Sequence, residues 1–180
     1  MLETESPFRH ELVHGVMYAM AEASDAHVII NRNLAGHLFI QLQGGRCESF
    51  ATEMKLKLQD AGTEEADYYY PDAMVCCDPS DRGQTKGHAW REKPSVLFEV
   101  LSSSTRLLDE NPKRAVYLAL PSLQAYIRLE QHRAEAVVER RTNSGWQEER
   151  VVGFSGVIRL PTIGVELLLS DLYQGVEFPA

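Results

Sequence analysis

The run Lys93-Pro94-Ser95-Val96-Leu97-Phe98-Glu99-Val100-Leu101 decides how this chain folds. From Ser95 to Leu101 it is short, almost wholly apolar and rich in β formers, the pattern of a central strand buried on both faces. Glu99 is the exception. An ionised carboxylate inside an apolar strand costs on the order of several kcal/mol unless something compensates it. A metal, a cation or a bound proton meets that need. The structural alternative is a strand-end glutamate that reaches solvent or pairs with an arginine.

Upstream, Tyr68 to Cys77 (YYYPDAMVCC) reads as a second strand, and Pro71 within it implies an edge, a bulge or a strand start. Asp72 follows at a place where the chain can bend and aim a carboxylate out of the sheet. As a structural residue it is a turn aspartate. If the two strands are neighbours, Asp72 and Glu99 converge on one ion. Hard oxygen ligands suit Mg2+ or Mn2+ rather than zinc. Such an ion binds a phosphate oxygen and activates water for in-line attack.

Further outward, Arg9 to Met20 reads as a hairpin with His14-Gly15 in the turn. Ser24 is a good N-cap, and Ile30, Leu34, Leu38 and Leu42 recur every four residues, with Val28 and Ala35 beside them, up to Gly44-Gly45. This predicts an amphipathic helix. Met54, Leu56 and Leu58 alternate with polar residues as a half-wet strand, and a polar turn then leads into the Tyr68 strand as a hairpin. After the Ser102-Ser103-Ser104-Thr105 loop, Asn111-Pro112 caps and opens a helix to about Leu120. Gln124–Glu130, Ala134–Arg141, Trp146–Val152 and Val157–Leu160 read as strands, and Ser170 to Tyr173 as a helical turn. Strands, helix, strands, helix, strands make a mixed α/β or α+β sheet fold.

With 180 residues and no linker-like boundary or repeat, one domain over 1–180 is expected. A 44% hydrophobic, 24% charged composition excludes disorder. Cys47, Cys76 and Cys77 form neither an even framework nor a metal spacing, and are expected to be reduced core residues. No apolar run approaches the ~20 residues of a membrane helix, and MLETESPFRH lacks a hydrophobic leader region, so the expected address is the cytoplasm. The net charge of −8 argues against tight nucleic-acid binding while allowing transient contact. Arg82, Lys86, Arg91 and Lys93 fall in one loop, offset by Asp78, Asp81 and Glu92, and read as a solvated mixed-charge segment.

Other chemistries fall away. There is no GxxxxGK[ST] phosphate loop and no GxSxG elbow, and Ser102 to Ser104 lack a nucleophile's flanking motif. His10 and His14 have helical ligand spacing, but in a hairpin they share a face without converging on zinc.

YYYPDAMVCCDP, KPSVLFEVLSSST and the segment from Asp109 through Lys113 to Tyr117 resemble the Uma-type restriction-endonuclease family, a bacterial branch of the PD-(D/E)xK nucleases. HELVHGVMYAMAEAS, PSLQAYIRL and LPTIGVELLLSDLY extend the resemblance over nearly the whole chain. It implies a restriction-endonuclease-like fold with extra antiparallel hairpins. It also implies Asp72 and Glu99 as metal-binding acids for hydrolysis of DNA phosphodiesters, and a homodimer. The superfamily pattern places Lys two residues after the Glu, where this chain has Leu101. In the family the lysine comes from the following helix, and Lys113 matches it; its charge would offset an anionic transition state. His27 matches a histidine at the start of the first long helix, and Glu11 and Glu53 match acid positions that would extend the cluster. The expectation is a Mg2+- or Mn2+-dependent DNA endonuclease. The alternative is a nuclease fold kept as a binding or assembly module, favoured by the acidic charge and the missing in-place lysine.

Overall fold

The computed structural model describes residues 10–13, 15–19, 23–59, 66–83, 89–101 and 112–178. Its centre is a six-stranded mixed sheet containing β3 (Glu48–Ala51), β6 (Ala73–Cys76), β8 (Pro94–Leu101), β9 (Ala125–Glu130), β10 (Glu135–Thr142) and β11 (Gly145–Val152), in the order β11-β10-β9-β8-β6-β3. β8 runs parallel to β9 and antiparallel to β6. The apolar run around Glu99 is therefore a central strand, as its composition predicts.

Alternation along β8 divides two cores. Val96, Phe98 and Val100 face α1 (Asp25–Leu42), whose Ile30, Leu34, Leu38 and Leu42 fill that side. Leu97 faces the opposite way, with Met74, Cys76 and Tyr126, toward a second layer. That layer is a five-stranded sheet built from β1 (His10–Val13), β2 (Val16–Ala19), β4 (Lys55–Gln59), β5 (Ala66–Tyr69) and β7 (Trp90–Arg91), joined by α2 (Pro112–Ala119). Leu56, Tyr69 and Tyr117 bury against the central sheet from this side. β12 (Val157–Leu160) and β13 (Val165–Leu168) form a hairpin, and the short α3 (Leu169–Leu172) follows it. Among the described residues no helix is long and apolar enough to cross a membrane.

Four expectations are corrected. The Tyr68–Cys77 run is two strands in two sheets: β5 ends at Tyr69, and the chain bends through Tyr70-Pro71-Asp72 before entering β6. Pro71 marks the crossover, because a residue without an N–H suits neither ladder. The cysteines are not all reduced. Cys47 and Cys77 form a disulfide, and only Cys76 is a free, buried thiol. The antiparallel pairing of Glu48 with Cys76 brings Cys47 and Cys77 together across the strand ends. Arg91 is not a solvated loop residue: it is 3% exposed in β7, its guanidinium 4.2 Å from the Phe50 ring centroid. Finally, Val28 is 54% exposed and takes no part in the α1 core face. His14, Lys86, Ser102 to Ser104, Asp109 and Asn111 lie outside the described residues.

Candidate active site

The bend that ends β5 turns Asp72 toward the N-terminal half of α1. Ser24 caps that helix, accepting the His27 N–H at 3.2 Å, which fixes the first turn. His27 Nε2 then lies 2.7 Å from Asp72 Oδ1, and Asn31, one turn on, donates from Nδ2 to the same oxygen at 3.2 Å. The other oxygen, Oδ2, accepts the Val100 N–H at 2.7 Å. Asp72 is thus hydrogen-bonded to the residue that follows Glu99. The ladder begins at the next residue, where Ala73 pairs with Phe98 and Met74 with Leu97.

Glu99 is 3% exposed on the opposite face of β8 from Val100. Its Oε1 accepts the Tyr117 hydroxyl at 3.1 Å and lies 3.7 Å from Lys113 Nζ. Lys113 and Tyr117 are one turn apart on α2 and so present a cation and a hydroxyl to the same carboxylate. The arginine alternative for Glu99 is available in the register but not taken: Arg128 pairs with Glu99 across the parallel strands, yet its guanidinium bonds Glu139 at 3.1 Å. Glu139, 1% exposed, also receives Arg114 of α2, and this pairing anchors the helix that carries Lys113.

Glu11 joins the site from β1. It is 6% exposed, lies 2.8 Å from Lys113 Nζ, and its Oε1 accepts the Tyr70 N–H at 3.0 Å. The Lys113 ammonium therefore stands between two carboxylates, nearer to Glu11. Tyr69, Tyr117 and Tyr126 wall this end edge to face, with ring centroids 5.6 and 5.5 Å apart. Burial, reinforced by Asp67 and Glu11 and opposed by Lys113, pushes the Tyr69 phenol up to about 12.

The five residues Asp72, Glu99, Lys113, His27 and Glu11 come together in two adjoining polar clusters across the end of β8. Glu53 does not join them through any contact between described residues; it is exposed in the turn after β3. Among the described residues no group of three or more His, Cys, Asp and Glu side chains is arranged to hold a metal. Asn31 was not singled out by sequence reasoning. Its signal is the four-residue step from His27, the same step that links Lys113 to Tyr117.

A mixed sheet with a helix over one face, and acids at the bend where β6 meets β8, define a restriction-endonuclease-like α+β protein. The chain belongs to the Uma2 family, described as "Putative restriction endonuclease", whose model matches residues 1–170. Among relatives, slr1290 of Synechocystis sp. is 28% identical over 172 residues, spanning 94% of this chain and 86% of its own. A second protein of that organism, sll1609, is 30% identical over 129 residues, 72% of this chain and 70% of its own. A crystal structure from Anabaena variabilis, described as a putative nuclease belonging to DUF820, superposes with a TM-score of 0.74 over 94% of each chain at 14% identity. At that identity the likeness establishes the fold.

Proposed function

We propose that this protein is a metal-dependent DNA endonuclease, a single PD-(D/E)xK-type domain over residues 1–180 that acts as a cytoplasmic homodimer. The observation that carries this reading is the 2.7 Å bond from the Val100 N–H to Asp72, which ties one motif acid to the backbone beside the other. Asp72 and Glu99, two carboxylates at adjoining strand ends, would hold a hard ion such as Mg2+ or Mn2+. When bound, that ion would supply Lewis-acid polarisation of the phosphate and a nucleophile at neutral pH.

The protein's own groups divide the remaining work. Contacts from His27, Asn31 and the Val100 N–H orient Asp72. Lys113 brings a positive charge to Glu99 from the following helix, so it supplies what Leu101 cannot. There it stabilises charge that develops on the phosphate. Glu11 is a positioning residue: its 2.8 Å contact holds the Lys113 ammonium at this end of the sheet. His27 orients Asp72 and is not assigned proton transfer.

A second reading, a nuclease-fold module for binding or assembly, is favoured by Leu101 in the motif's lysine position and by the donors that already engage both acids. Cleavage of circular and linear DNA by purified protein with Mg2+, Mn2+ or EDTA separates the two. The enzyme reading expects metal-dependent cutting that Asp72→Ala and Glu99→Ala abolish. Cutting that survives both substitutions sinks the site, and inactivity on all DNA forms without metal binding favours the module.

A further inference from the structure

We propose that the outer face of the five-stranded sheet is a binding track for an unpaired nucleic-acid strand leading to Asp72; this deepens the nuclease reading and rests on it. Register defines the face. Leu12 pairs with Met17 and with Tyr68, Tyr68 pairs with Lys57, and Lys55 pairs with Trp90. Paired residues share a face, so Met17, Leu12, Tyr68, Lys57, Lys55 and Trp90 stand together. The alternating residues Leu56 and Tyr69 are buried on the inner side. The outer six are half-buried or exposed.

The chemistry of the row is basic and aromatic in alternation. Lys57 Nζ lies 5.7 Å from the Trp90 ring centroid, and Lys55 Nζ lies 6.0 Å from that of Tyr68 and 5.5 Å from that of Tyr70. Tyr68 and Trp90 are edge to face with centroids 6.3 Å apart. The chain has five lysines and a net charge of −8, yet two of the five stand here. Lys57 bonds Glu92 at 2.9 Å, and Glu92 is itself 49% exposed. Such a surface ion pair is weak and exchanges readily for a phosphate.

Rings for bases and lysines for the backbone are the two components of sequence-tolerant single-strand binding. A duplex hides its base faces and fits only the lysines. The face also leads to the candidate site: β5 carries Tyr68, Tyr70 follows, and Asp72 is two residues beyond it. A strand lying along these rings would therefore deliver its phosphates toward the acids.

The test is binding of fluorescein-labelled 20-mers, oligo-dT, oligo-U and a mixed-sequence duplex, to the full chain in EDTA, read by anisotropy and by tryptophan emission. The expected result is single-strand binding with quenching that Trp90→Phe removes, and weaker duplex binding. Tyr68→Ala should weaken binding roughly 5- to 150-fold, the loss of one stacked base. Lys55→Gln with Lys57→Gln should flatten the slope of log affinity against log salt by about 1.4, about 0.7 for each lysine. Thermal melts confirm folding, and the two surface glutamines keep the test valid if Tyr68→Ala unfolds. Absence of single-strand binding, duplex binding of equal strength without quenching, or an unchanged salt slope would overturn the proposal. Metal-dependent duplex cleavage without such binding refutes this face alone, whereas binding without cleavage refutes the nuclease reading and spares the face.

Discussion

Replacing Glu11 by Gln removes one charge from the site with little change of shape, because the amide oxygen still accepts the Tyr70 N–H. Lys113 keeps its 3.7 Å contact with Glu99. At an effective dielectric of about 20, attraction at the observed 2.8 Å is about 6 kcal/mol and at 3.7 Å about 4.5 kcal/mol, most of it offset by desolvation. The Lys113 and Glu11 side chains are only 10% and 8% exposed, so solvent screens the pair little. Breaking a buried pair costs about 3–5 kcal/mol, and the surviving Glu99 contact sets the expectation at about 3 kcal/mol. Urea unfolding of Glu11→Gln, Lys113→Met and the double variant measures this as a cycle, with a coupling of about 2 kcal/mol or more expected. On the nuclease reading, Glu11→Gln also lowers kcat about 100-fold while metal affinity holds, since the lysine loses its position and the two acids remain. Glu11→Asp should restore part of the rate. A coupling below about 0.5 kcal/mol, or an unchanged kcat, refutes the assignment of Glu11 as the residue that positions Lys113.

Reduction of the Cys47–Cys77 disulfide opens a loop with a sequence separation of 30, and chain entropy puts its contribution at about 3.6 kcal/mol. Urea midpoints with and without reductant check this, and Cys47→Ser should abolish the difference. Cys76 should resist thiol reagents until the chain unfolds, because burial, with Asp81 adding to it, pushes its thiol up. Burial also raises Tyr173 and takes Tyr69 to about 12. The native state thus holds these protons more tightly than the unfolded chain, where tyrosine ionises near pH ~10. The stability they contribute is full below pH ~10 and is lost as pH rises toward the folded values. Melting temperatures from pH 8 to 12, with phenolate absorbance, should show these two rings ionising only with unfolding; early titration of all seven tyrosines would contradict the packing.

Much of the fold was legible because strong periodicity coincided with punctuation. Ser24 and Gly44-Gly45 bracket the helix that Ile30, Leu34, Leu38 and Leu42 predict, and the strands read at Ala134–Arg141 and Trp146–Val152 form the β10–β11 hairpin. β3 was missed because Glu-Ser-Phe-Ala has no clear alternation, and β7 because two residues carry no period. The split at Pro71 was half seen: the proline signalled a bend, but passage between sheets is a tertiary choice. The disulfide was hidden for the same reason, since pairing across β3 and β6 joins residues that sequence spacing does not relate. At the site, Glu99 stood out as an acid in an apolar strand, and Asp72 by its proline. Resemblance suggested Lys113, His27 and Glu11. Their pairing, Lys113 with Glu11 and His27 with Asp72, follows only from how α2 and α1 pack on opposite faces of one sheet.

The central claim is that Asp72 and Glu99 share an ion. Titration calorimetry of Mg2+ and Mn2+ into the purified chain, with Asp72→Asn and Glu99→Gln alongside, tests it without requiring turnover. Saturable binding in the parent that either substitution removes, while both variants keep their melting transitions, is the predicted result. Unchanged binding in both variants, or no binding in the parent, would contradict it.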